Sequence, residues 1–135
     1  MKIHIHADKT LGAVQSDFSE LFSGLKLVFF SKPHKIYKGS NAKFIIQKKE
    51  IPLKQISLDV RPGYLLLESS MTVWQVERKF EEDFGLHVQV FRKSGNIWLE
   101  TSETDKLTLE AQQARSLDAD TEEEIIDPMD YQEQE

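Results

Sequence analysis

The chain predicts an α+β fold in which two β-α-β units pack as a ferredoxin-like sandwich. Three observations predict it. A strand-like alternation of apolar residues gives way twice to a helical apolar stripe and then returns to strand. The two occurrences lie sixty-two positions apart, and the second runs into a hairpin marked by its turn residues, Ser94-Gly95-Asn96.

In the first unit, residues 2–7 alternate Ile3 and Ile5 with His4 and His6, as a strand with one buried face does. From Leu11 the period changes. Leu11, Val14, Phe18, Leu21 and Phe22 fall on one side of a helix, with Asp17, Ser19 and Glu20 opposite. Thr10 or Asp8 can cap its start, and Gly24 supplies the left-handed residue that ends it. Leu25 to Phe30 then read as the second strand. The second unit begins with Leu65 and Leu67. Thr72 and Gln75 form a capping box, and Val73, Val76, Phe80 and Phe84 make the buried stripe. Glu77, Arg78, Lys79, Glu81, Glu82 and Asp83 are assigned to a solvated face. Gly85 stops the helix, Leu86, Val88 and Val90 alternate as a strand, and a return strand passes through Trp98.

Between Thr10 and Lys32 the two units share nine identities in 22 aligned pairs, with one gap at Ser23. Threonine, glycine and lysine match as well as the apolar residues, so amphipathicity alone does not account for the likeness, and an internal duplication is expected. The expected organisation is a single domain over residues 1–113 and a tail over 114–135. Within the domain, repeat one spans 2–32, a linker 33–63, repeat two 64–102, and a short C-terminal turn 103–113. The linker is turn-rich, with Pro33, Pro52, Pro62, Gly39 and Gly63, and Phe44, Ile45 and Ile46 anchor it to the core. Ile51 to Ile56 suggest one helical turn, and Leu107-Thr108-Leu109-Glu110 repeats that pattern after the second unit. Residues 114–135 carry one Arg and nine acids with no periodicity, a composition that predicts disorder.

The run FGLHVQVFRKSGNIWLETS from Phe84 to Ser102, with Met71-Thr72-Val73 at the preceding helix start, resembles a small uncharacterised bacterial protein family. The resemblance covers the second half of the folded region. It implies no activity, ligand or catalytic residue.

In the ferredoxin-like arrangement the first strands of the two units lie side by side at the centre. Both helices cover one sheet face, and the Trp98 strand adds a fifth strand at one edge. Ile3, Ile5, Leu25, Leu27, Phe29, Leu65, Leu67, Leu86, Val88, Val90, Ile97 and Leu99 then face the core. Alternation puts His4, His6, Lys26, Val28, Phe30, Leu66, Glu68, His87, Gln89, Phe91 and Trp98 on the other face. That face is too apolar to be left in water, so the linker, a second copy or another partner must cover it.

Composition narrows the functional classes. The 135 residues are 39% hydrophobic, enough for one core. With no cysteine there is no disulfide, thiolate metal site or cysteine nucleophile. The N-terminal alternation lacks a signal-peptide core, and no apolar run approaches the roughly 20 residues that cross a bilayer. A cytoplasmic protein without membrane contact is expected. Residues 1–113 balance 16 Lys and Arg against 14 Asp and Glu, so the acidity of the chain belongs to its end. No phosphate loop, nucleophile elbow or His-Glu metal helix appears, and neither an enzyme nor a cofactor is expected.

The leading reading is a protein-interaction module, self-associating through His4, His6, Phe30, His87, Phe91 and Trp98. A second reading is nucleic-acid binding, with Phe30, Phe91 and Trp98 stacking bases while Lys32, Lys35, Lys38, Arg92 and Lys93 hold phosphates. Seven lysines against one acid from Ser31 to Lys54 support it. A third reading places a metal on His4 and His6, with His87 or Glu68 completing the set.

Overall fold

A computed structural model describes residues 1–31 and 44–121 of the chain. It is α+β, with five strands in two antiparallel sheets and three helices. Strand β1 is Lys2–Ile5, helix α1 Leu11–Leu21 and strand β2 Leu25–Phe30. Strand β3 is Gly63–Leu66, helix α2 Val73–Phe84, strand β4 His87–Ser94, strand β5 Ile97–Glu100 and helix α3 Leu109–Thr121.

Local chemistry explains these boundaries. The Thr10 hydroxyl accepts the Ala13 amide at 3.2 Å and starts α1. Asp8, the alternative cap, instead pairs with Lys54 at 2.9 Å. At α2 the capping box is complete: the Thr72 amide donates to Gln75 Oε1 at 2.8 Å, and the Gln75 amide to Thr72 Oγ1 at 3.1 Å. Such a cap contributes about 1 kcal/mol. Gly24 and Gly85 follow the helices with φ of +87° and +71°, a conformation that costs other residues about 1–2 kcal/mol.

Strand pairing brings aligned positions of the two units face to face. In the β1·β3 pair Ile3 lies opposite Leu65, and in the β2·β4 pair Val28 lies opposite Gln89; each is the residue that the alignment of the two units equates with its partner. Backbone bonds recur in the same way. Leu11 and Gly12 amides donate to Ile51 and Lys49 carbonyls at 2.9 and 2.8 Å, and Val73 and Trp74 amides to Leu107 and Asp105 at 3.0 and 2.9 Å. Leu53 and Lys54 donate to Lys9 and Ala7, as Leu109 and Glu110 donate to Met71 and Ser69.

One sheet of ferredoxin-like order is not present. Strand β4 is bonded on one edge to β2 along six residue pairs; on the other, Phe91–Ser94 pair with β5, and the Val90 backbone is taken by the Glu77 and Thr101 side chains rather than by β1. β1 and β3 therefore pair as a separate ribbon. The two sheets nonetheless share an interior: Ile3, Ile5, Leu65 and Leu67 from the ribbon join Leu25, Leu27, Phe29, Val88 and Val90 in one buried cluster with Phe18 and Phe80. Ile97 and Leu99, expected in that core, are only half-buried, because β5 lies at the sheet edge. Leu21, expected on the α1 stripe, is exposed at the last residue of the helix.

The expected turn and disordered tail are corrected over residues 109–121, which form α3. Leu109, Gln112 and Ser116 are buried along one side of it. Gln112 donates to the Thr104 carbonyl at 2.9 Å and accepts from Arg92 Nη1 at 2.9 Å, and Gln113 donates to the Ser23 carbonyl at 3.1 Å. Composition missed this helix because polar side chains hold its inner face. The expectation of disorder over 122–135 lies outside the described residues. A chain ending at residue 113 is expected to unfold at lower urea than one ending at residue 121. Only five helical residues would remain, too few to hold a helix without the Ser116 packing. Equal midpoints would show that the last two turns contribute nothing.

Candidate functional site

The sheet face expected to be open is divided between the two sheets. On the β2·β4 part, Phe30 is 2% exposed and Gln89 0%, so this half is closed. Phe44–Ile46 run beside the outer edge of β2: the Ser31 amide donates to the Phe44 carbonyl and the Ile46 amide to the Phe29 carbonyl, each at 2.9 Å. The linker thus extends the sheet sideways at this point. Phe91 and Trp98 are half-buried, and the Lys26 ammonium sits 4.5 Å from the centre of the Trp98 ring.

The β1–β3 ribbon keeps its outer face. His4 stacks on Tyr64 with ring centres 4.7 Å apart, and His6 is 4.9 Å from His4. The Lys2 ammonium lies 4.5 Å from the Tyr64 ring centre. Tyr64 and Leu66 are 55% and 60% exposed, and Met1 and Trp74 are also open to solvent. Leu66, Met71 and Trp74 form the apolar part of a groove of about 550 Å³, whose rim carries Glu68 and Glu82 beside Arg78 and Lys79. The Arg78 guanidinium lies 4.9 Å from the Trp74 ring.

These positions sort the sequence-based candidates. His4 and His6 adjoin each other, but His87 is in the other sheet, paired with Phe30 and 3.6 Å from Glu81. Among the described residues no group of three His, Asp or Glu is placed to hold a metal ion. Phe30 is buried, so it is not part of an exposed stacking platform with Phe91 and Trp98. Arg92 is tied to Gln112, and Lys93 is exposed at the hairpin. Lys32, Lys35 and Lys38 lie outside the described residues.

Trp74 and Tyr64 were not among the candidates; Leu66 was expected on the open face, though not among its interaction residues. Trp74 did carry a signal, being a large aromatic one position off the Val73, Val76 and Phe80 stripe. Tyr64 lies on the same side of its strand as Leu66, so the alternation that placed Leu66 outward could have placed Tyr64 there too.

Glu77 is a correction. It was assigned to solvent, yet it is buried and its carboxylate accepts the Val90 amide at 3.0 Å. The Thr101 hydroxyl donates to the Val90 carbonyl at 2.8 Å, so the two side chains satisfy the edge of β4 one residue beyond its pairing with β5. Burial pushes the Glu77 carboxyl up to about 8, against the Val90 hydrogen bond, which favours the charged form; the charges of Asp105 and Glu100 raise it further.

No protein-family model matches the chain, and neither characterised proteins nor solved structures provide a match. Among the described residues no helix is long and apolar enough to cross a membrane.

Proposed function

We propose that the chain is a duplicated β-α-β protein acting as a non-enzymatic interaction module, and that it binds a second copy of itself through the β1–β3 ribbon and the adjoining Trp74 groove. The observation that carries this reading is the grouping of Tyr64, Leu66 and Trp74, all exposed, around one groove and the sheet face beside it. Exposed aromatic and aliphatic side chains gathered at one place mark association surfaces.

A second copy is favoured over an unlike partner by charge. The groove rim carries two acids and two bases, with Arg78 paired to Glu82 and Lys79 to Asp83 along α2, so its charge is balanced and a two-fold contact can exchange these pairs between copies. A strongly acidic or basic partner would meet repulsion from half of that rim. Duplication is supported by the paired registers and the recurring backbone bonds, and it makes the molecule an internal counterpart of such a dimer. A cytoplasmic location rests on composition alone.

Sedimentation equilibrium tests the reading. The intact chain is expected to dimerise reversibly, and Leu66→Glu is expected to weaken the dimer by about tenfold or more, since it places like charges across the axis. Because Leu66 is 60% exposed, its thermal midpoint at low concentration should hardly move. A chain that stays monomeric throughout, or a Leu66→Glu variant that associates as before, would overturn the proposal.

A further inference from the structure

A second cleft, distant from the ribbon groove in sequence, lies between α1 and residues 45–49 and encloses about 340 Å³. Gly12, Gln15, Ser16 and Ser19 line it from one side of α1, the side turned away from the core residues Leu11, Val14 and Phe18. Lys26 of β2 and Lys49 of the facing segment also line it, and among the described residues no carboxylate does. Gly12 allows the close approach that shapes the cleft, because a Cβ there would lie 2.9 Å from that of Lys49. Gln15 is anchored by its Nε2, which donates to the Leu27 carbonyl at 2.8 Å, while its Oε1 is buried without a hydrogen-bond partner. Burial, and the nearby charge of Lys49, hold the Lys26 amine below the usual lysine range.

The basic character of this cleft is not a consequence of its backbone. The same scaffold recurs in the second unit, where the Trp74-to-Asp105 backbone bond matches the Gly12-to-Lys49 bond. There the aligned positions carry Trp74 for Gly12, Glu77 for Gln15 and Asp105 for Lys49. One cleft is lined by the Trp74 indole, with Asp105 and Lys106 balancing in charge. The other has kept two lysines close enough to repel one another, beside an acceptor that lacks a donor.

We propose that the α1 cleft binds a small phosphorylated molecule, with its phosphate between Lys26 and Lys49 and its carbon frame beside Gln15, Ser16 and Ser19. A dianion between the two ammonium groups removes their repulsion, and the Ser16 and Ser19 hydroxyls on the same wall can bond the polar groups of its carbon frame. The volume suits a compact ester, at the small end of ligand pockets.

Trp98 provides the readout, because the Lys26 ammonium rests on its ring. In a full-length Trp74→Phe background Trp98 is the remaining tryptophan. Its emission is followed as inorganic phosphate or glycerol 3-phosphate is added at constant ionic strength. Both probes are expected to give a saturable change, glycerol 3-phosphate binding more tightly. Lys49→Gln, at an exposed position, is expected to weaken both by about tenfold. Absence of saturation with both probes, equal affinity for the two, or a folded Lys49→Gln variant that binds as before would overturn the assignment.

Discussion

Replacing Phe80 with alanine is expected to lower stability by about 3–5 kcal/mol, the cost of deleting a fully buried ring and leaving a cavity behind it. Phe80 is 0% exposed in α2, and its ring meets that of Phe29 on β2 edge-on, with centres 6.2 Å apart. The contact joins the two units, since α2 belongs to one and β2 to the other. Phe18→Ala, its counterpart in α1, should cost a similar amount for the same reason. Because both rings belong to one cluster, each variant should still unfold in a single urea transition seen alike by tryptophan emission and far-ultraviolet dichroism. Two separated transitions in either variant would mean that the units hold independent interiors. A double replacement of Phe29 and Phe80 should cost less than the sum of the single ones by about 0.5–1.5 kcal/mol, which isolates the ring pair.

The second large effect is on pH. The Glu77 carboxyl has an ordinary value of 4.5 and is pushed up to about 8 in the folded chain. Its folded value is the raised one, so the stability it supports is fully present below about 4.5 and is lost as the pH climbs through 8. Within that window the folded state keeps a proton that the unfolded state releases. The slope approaches about 1.4 kcal/mol per pH unit, and the accumulated loss is of the order of several kcal/mol. Glu77→Gln keeps a neutral side chain whose carbonyl oxygen can still accept the Val90 amide. Near pH 5 the variant and the wild type should unfold at similar temperatures. By pH 9 the variant should be the more stable by a few kcal/mol, or on the order of 10 °C in midpoint. Melting curves from pH 5 to 9 decide it, and parallel profiles for the two proteins would show that Glu77 does not hold its proton. Glutamine is also what the first unit carries at the aligned position, where Gln15 bonds the β2 backbone.

How far these features could be read in advance depends on their range. The Thr72-Gln75 box, the glycines after each helix and the Gly95-Asn96 hairpin turn were legible because each is settled within a few residues of chain. Ile3, Ile5, Leu25, Leu27 and Phe29 were legible as core because alternation separates the faces of a strand. Glu77 was not. A glutamate beside Arg78 and Lys79 has the pattern of a solvated helix face, and its burial depends on where β5 leaves β4. The inward side of α3 was hidden similarly, since Gln112 becomes an interior residue only when Thr104 and Arg92 are brought to it.

By itself the sequence determined the five strands and the first two helices, their caps and turns, and the sides of the first strands that face inward. Tertiary structure alone decided that β4 lies beside β2, that β1 and β3 stand apart as a ribbon, and that Trp74 stays wet while Phe30 does not. Periodicity states which way a side chain points relative to its own strand or helix. Which strand lies alongside it, and what covers the far face, depends on how every edge competes for a partner, and that competition has no local signature.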